Sequence, residues 1–325
     1  MSDVEQVPAA RPGQDRGGSR WHALPERGSP IMVSVLVAIA RWLGRRAAGV
    51  VLYGIAVWYV ALHPGVRRSS RDFLRRVKGR GTLRDVYRNV LAFSRVALDR
   101  IWLVSGDYRA FDIHVEGGEH LLALRDGGKG ALLLMAHLGS FEAMRTLGRD
   151  NDFRVAMLGY FKNTERLNAV IQRFDRSGQT ALIGIRPGDP SAVLEVEERI
   201  GRGEVVGTMA DRVGFDARVA RVPFLGGEAC FPTGPYLLAH ALRCPAYLCF
   251  ALFRAPNRYE LHCEPFADAI VLPRGAAREE AVKALAARYA VRLEHYCRAY
   301  PDNWFNFYDF WASAPPAPGA PPEAA

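Results

Sequence analysis

His137 closes the apolar run Ala131-Leu132-Leu133-Leu134-Met135-Ala136 and is followed by Leu138-Gly139-Ser140-Phe141-Glu142. A neutral imidazole placed there can take a proton from an attacking hydroxyl or amine. A carboxylate on its other ring nitrogen would fix the tautomer and stabilise the imidazolium that forms. With His137 on a turn and Glu142 in the first turn of the next helix, the Glu142 carboxylate can reach the ring. The same residues also fit a structural role, in which His137 and Ser140 simply cap the following helix. Ser140 is a poor nucleophile, because its neighbours lack the glycine framing of a nucleophile elbow.

These residues need a scaffold that ends a buried strand at His137. Short apolar runs predict strands over Ala131–Ala136, Val155–Tyr160, Ala181–Ile185, Val205–Met209, Ala217–Phe224, Ala246–Phe253 and Tyr259–Pro265. Amphipathic runs predict helices over Gly118–Asp126, Phe141–Arg149, Thr164–Ser177, Pro190–Arg202, Thr233–Leu242 and Arg278–Tyr300. Strands alternating with helices predict an α/β domain around a mostly parallel central sheet. Ligands of such sheets gather beyond the carboxyl ends of the strands, where His137 falls.

The organisation reads as a disordered start (1–30), a helical region (31–105), an α/β domain (106–312) and a disordered tail (313–325). The helical region carries the uncharged stretch Ala47–Leu62, short of the roughly 20 residues a spanning helix needs. It predicts a helix sunk into one leaflet or packed on the domain, with a single span as the less favoured alternative. Arg67, Arg68, Arg71, Arg75, Arg76, Lys78 and Arg80 follow, with Asp72 opposing. Basic residues beside an apolar helix suit an anionic membrane surface; a solvated helix face is the plainer alternative.

The net charge of +9 points to an anionic partner, but the chain carries no RNA-binding or zinc-finger signature. Cys230, Cys244, Cys249, Cys263 and Cys297 form no CxxC pair, and the histidines form no HExxH. No metal site is expected, and the cysteines read as small core residues in a reducing compartment.

His137 and Glu142, with four residues between them after an apolar strand, resemble the HX4D/E motif of the glycerolipid acyltransferase superfamily. The wider sequence is similar to the late lipid A acyltransferases of that superfamily. The similarity includes Ser69-Ser70-Arg71-Asp72-Phe73-Leu74-Arg75-Arg76-Val77 and Tyr160–Arg173. It continues through Met209-Ala210-Asp211-Arg212, Val222-Pro223-Phe224-Leu225-Gly226, Phe231-Pro232-Thr233-Gly234-Pro235 and Pro301-Asp302-Asn303-Trp304. One motif is weak evidence; several in family order are strong.

The resemblance implies a glycerol-phosphate-acyltransferase-like α/β sandwich behind a membrane-associated helical region. His137 would be the general base and Glu142 its orienting partner. The reaction would move a fatty acyl group from an acyl carrier protein or coenzyme A thioester to a hydroxyl of a lipid or glycolipid. It needs no cofactor beyond that cosubstrate. It would take place at the cytoplasmic face of the bacterial inner membrane.

Asp211 and Arg212 end the strand Val205–Met209 and are expected at the same sheet edge. Arg212 either binds a phosphate or forms a buried structural pair with Asp211. Arg173 and Lys162 are weaker binding candidates. Gly226 lies in a loop expected near the acyl pocket, and its glycine equally serves a turn. Thr233 reads as a helix N-cap. Asp211-Arg212-Val213-Gly214-Phe215-Asp216 and Arg186-Pro187-Gly188-Asp189-Pro190 depart from the lipid A enzymes. They point to a divergent branch resembling acyltransferases linked to aryl-polyene pigment genes. An N-acyltransferase acting on an amino lipid and a non-catalytic lipid-binding protein are the competing readings.

Overall fold

The computed structural model describes residues 30–150, 155–159, 181–185, 189–214 and 218–311. The helical region is three helices: α1 (Pro30–Leu62), α2 (Pro64–Lys78) and α3 (Leu83–Ser105). α1 is broken at Gly44, whose φ of 82° and ψ of 173° lie outside the helical range. Beyond the break, Ala48, Leu52 and Ala56 recur every fourth residue and are buried. That spacing puts them on one face, where α1 packs against α3. Arg45 clamps the contact by forking onto Asp99 of α3, with Nε–Oδ1 at 2.7 Å and Nη2–Oδ2 at 2.8 Å. The Tyr259 hydroxyl donates to the same carboxylate at 2.9 Å.

The other face of α1 is exposed and apolar, including Trp42, Val50, Tyr53, Val57 and Trp58. From Trp42 to Leu62 the helix is long and apolar enough to cross a membrane by length and composition. The basic run on α2 is spent in part on the fold itself. Arg67 caps α1 by donating to the carbonyls of Val60 and Ala61 at 2.6 and 2.5 Å. Arg76 pairs with Asp72 at 3.1 Å and lies over the Trp311 ring. Lys78 bridges to Asp302 at 3.0 Å. Arg68, Arg75 and Arg80 are exposed.

The α/β part follows with β1 (Asp112–Glu116), α4 (Gly118–Asp126), β2 (Ala131–Met135), α5 (Phe141–Asp150) and β3 (Val155–Gly159). Next come β4 (Ala181–Gly184), α6 (Ser191–Gly201), β5 (Val205–Met209), β6 (Val219–Phe224) and β7 (Gly227–Pro232). The last elements are α7 (Gly234–Leu242), β8 (Ala246–Arg254), β9 (Arg258–Ala267) and α8 (Ala277–Ala299). Seven strands form one sheet in the order β1-β9-β8-β2-β5-β3-β4. All neighbours run parallel except β8 and β9. The fold is therefore α/β with a mostly parallel central sheet, as the alternation of runs predicts.

Two strands escape the sequence reading. β1 is largely exposed on the sheet edge, so it lacks an apolar run. β7 pairs with β6 in a separate hairpin, so the run ending at Phe224 is not part of the central sheet. The predicted helix Thr164–Ser177 lies outside the described residues. The apolar core also crosses the boundary drawn at residue 105: Leu52, Phe73 and Val90 share one cluster with Leu132, Val206 and Leu248.

β2 is buried at every residue and lies at the middle of the sheet, between β8 and β5. The turn that leaves it passes hard against β8. Gly139 has φ of 77°, and a Cβ there would lie 1.8 Å from the Ala251 carbonyl oxygen. Only glycine fits that approach. Gly139→Ala is therefore expected to cost roughly 3 kcal/mol or more, read as a lowered midpoint in denaturant unfolding.

Candidate active site

β2 and β5 are parallel neighbours in register, with Met135 opposite Met209. The Ala210 amide continues the ladder by donating to the Met135 carbonyl at 2.9 Å. His137 and Asp211 each stand two residues past those partners, so the two chains deliver them to the same place. Adjacent strands lie about 4.8 Å apart, within side-chain reach. His137 Nδ1 is 2.8 Å from Asp211 Oδ1, and the His137 amide donates to Oδ2 at 3.0 Å.

Asp211 is fully buried. Burying a carboxylate is tolerated only when its oxygens are satisfied. Besides His137, Trp304 Nε1 and Asn306 Nδ2 donate to Oδ2 at 3.2 and 3.1 Å. Burial by itself would raise the Asp211 carboxyl; the His137 and Arg212 charges and the bonds from His137 hold it at about 2. Ionised, it can only accept hydrogen bonds. Nδ1 of a neutral His137 therefore carries the proton, and Nε2 keeps its lone pair. Burial, with the Arg212 charge beside it, lowers the His137 pKa below its usual value of 6.5 against the pull of Asp211. The ring is thus neutral near pH 7, with its side chain 28% exposed.

The chain end supplies the other half of the site. Residues 303–305 run alongside the His137 turn: Gly139 donates to the Asn303 carbonyl at 3.0 Å, and Phe305 donates to the His137 carbonyl at 2.8 Å. Asn303 is held in turn by both backbone groups of Phe253, at 2.7 and 3.0 Å. Asn89 on α3 donates to the carbonyls of Asp302 and Trp304 at 3.0 and 3.2 Å and accepts from Ser70 on α2 at 2.8 Å. The Trp304 ring packs on Phe73 and Phe310, each at 4.8 Å between centroids. Ser70 and Phe73, two of the buried residues of the Ser69–Val77 segment, thus reach the site through the chain end.

Glu142 does not take the place expected of it. The carboxylate on the His137 ring is that of Asp211. Glu142 sits in the first turn of α5 and faces Arg100 of α3, with Oε1 2.6 Å from Nε. That contact lies off the line of the N–H, so it is an ion pair rather than a hydrogen bond. Ser140 caps α5: its Oγ accepts from the Ala143 amide at 3.2 Å. A spacing along one chain identified Glu142; the partner that reaches the ring arrives from a neighbouring strand.

Arg212 is drawn into the same network rather than aimed away from it. Its Nε donates to Asn306 Oδ1 at 2.6 Å and one Nη donates to the Phe305 carbonyl at 3.0 Å. Asn306 therefore links the Arg212 guanidinium to the Asp211 carboxylate. Gly226 is placed by the hairpin. With Leu225 (φ 49°) and Gly226 (φ 73°) it makes the two-residue turn joining β6 to β7, a geometry that requires left-handed residues. The hairpin packs on the chain end, with Phe224 5.6 Å from Trp304. Arg173 and Lys162 lie outside the described residues. Trp304 and Asn306 were missed as functional residues, since nothing local in Asn303-Trp304-Phe305-Asn306 announces a carboxylate partner.

The arrangement is an imidazole with a fixed tautomer, held neutral, and with one nitrogen left as a base. The family model described as bacterial lipid A biosynthesis acyltransferase matches residues 33–313. No curated protein matches the chain.

Asp211→Asn would put an amide against the ring and favour the other tautomer. It is expected to lower the turnover rate by roughly 10³- to 10⁴-fold while circular dichroism retains the folded spectrum. A rate within tenfold of wild type would remove Asp211 from the mechanism.

Proposed function

The chain belongs to the bacterial lipid A biosynthesis acyltransferase family and is an acyltransferase acting on a lipid acceptor; we propose that His137 Nε2 is its general base, oriented by Asp211. The observation that carries this reading is the 2.8 Å contact between His137 Nδ1 and the buried Asp211 carboxylate. The base takes the proton of an acceptor hydroxyl as its oxygen attacks the carbonyl carbon of an acyl thioester. The tetrahedral intermediate collapses, the C–S bond breaks, and the imidazolium returns the proton to the leaving thiolate. An ester and a free thiol result, with no acyl-enzyme. Asp211 stays ionised throughout and stabilises the imidazolium while it exists.

The donor in this reading is the thioester of an acyl carrier protein or coenzyme A. Glu142 is a positioning residue that ties the start of α5 to α3 through Arg100. Arg212, Asn306 and Trp304 hold Asp211 in place. The enzyme works at the cytoplasmic face of the inner membrane, with α1 lying in the interface. Two observations support α1 in an interface. α1 packs along α3 on one face, and its opposite face exposes Trp42 at 88% and Val50 at 68%. A helix with one apolar exposed side suits the headgroup boundary of a bilayer.

His137→Ala is expected to abolish transfer of a labelled acyl group to lipid in membranes from a deletion strain. Full transfer would end the reading. For the wild type, kcat/KM is expected to rise with pH and level off, with a midpoint below 6.5, because the protonated ring is inactive and its pKa is depressed. A midpoint at or above 6.5 would contradict the neutral-base assignment. Mass spectrometry of the product identifies the new bond as an ester.

A further inference from the structure

A cavity of about 490 Å³ opens between α3, the end of β8 and residues 299–303. Its wall carries Lys78, Arg88, Arg95 and Arg254 against one carboxylate, Asp302. Lys78 and Arg88 flank that carboxylate at 3.0 and 3.4 Å, and Lys78 also meets Asp85 at 3.4 Å. Arg254 is braced over the Tyr300 ring and pairs with Glu260 at 2.9 Å. Three guanidinium groups and an ammonium converging on one hollow of ligand size make a field for a multiply charged anion. Planar guanidinium forks favour phosphate in particular.

Arg95 says what kind of phosphate. Its Nη2 donates to the Tyr53 hydroxyl at 2.6 Å, and its guanidinium lies over the Tyr53 ring. Tyr53 belongs to the exposed face of α1, with Val50 and Val57 three and four residues away on the same side. The cationic cavity and the apolar stripe therefore meet at one side-chain pair. A ligand matching both is an amphiphile with a phosphate head and hydrocarbon chains. Asn303, whose carbonyl accepts the Gly139 amide, is among the lining residues.

We propose that this cavity binds the phosphate headgroup of a membrane lipid, with the lipid chains laid along the Val50–Tyr53–Val57 face of α1. The site is independent of acyl transfer and would hold even if His137 were not the base.

The test is binding without turnover. The full chain in uncharged detergent is titrated calorimetrically with dihexanoyl phosphatidic acid, which is soluble below its aggregation point, and separately with inorganic phosphate. Saturable binding of the lipid is expected, weakened roughly thirty-fold in Arg88→Gln/Arg95→Gln at about 1 kcal/mol per cation. Arg88→Lys/Arg95→Lys is expected to retain most of it, which separates lost charge from lost folding. His137→Ala is expected to bind as the wild type does. Inorganic phosphate binding as tightly as the lipid would overturn the lipid assignment in favour of a free-phosphate site. Unchanged lipid affinity in the glutamine variant would overturn the cavity assignment. So would a variant that loses only binding of an acyl carrier protein, which would make the surface a carrier dock.

Discussion

The bond between His137 and a fully buried Asp211 is the constraint around which the rest of the molecule is arranged. A carboxylate at that depth is costly unless every oxygen has donors, and here it has four. Two come from His137 itself, and two come from a segment some ninety residues further along the chain. The fold must therefore bring the ends of β2 and β5 together and then return the chain end to cover them. The in-register parallel pairing does the first. The Trp304 aromatic cluster, with Asn303 locked to Phe253, does the second.

The three N-terminal helices take part in this arrangement. Phe73 packs on Trp304, and Ser70 with Asn89 fixes the backbone on either side of it. α1 is joined to the same body through Arg45, Asp99 and Tyr259. A helix that carries an apolar face is thus tied to the sheet edge that holds His137.

Much of this was legible in the residues. Strand β2 is a continuous apolar run, and its end at His137 followed directly. The α/β alternation gave the parallel sheet, and the turn chemistry gave Gly226 its role. The identity of the carboxylate on the ring was not legible. Glu142 stands close in sequence, whereas Asp211 is brought in only by the register of β2 on β5, a non-local fact. The signal was present in a weaker form: His137 and Asp211 both follow an apolar strand by the same offset. Trp304 and Asn306 gave no such signal, because their partner is chosen by how the chain end folds back. The basic run on α2 misled in part for the same reason, since Arg67, Arg76 and Lys78 find their partners in helix ends, rings and carboxylates of the fold.

The central claim is that Asp211 fixes the His137 proton on Nδ1, while burial and the Arg212 charge keep the ring neutral. Nitrogen-15 NMR of the histidine-labelled full chain, with His137→Gln used to assign the signal, tests it most directly. The account predicts a proton on Nδ1 and a bare Nε2 at pH 7, titrating with a midpoint below 6.5. A ring protonated on Nε2, or an imidazolium at pH 7, would contradict it.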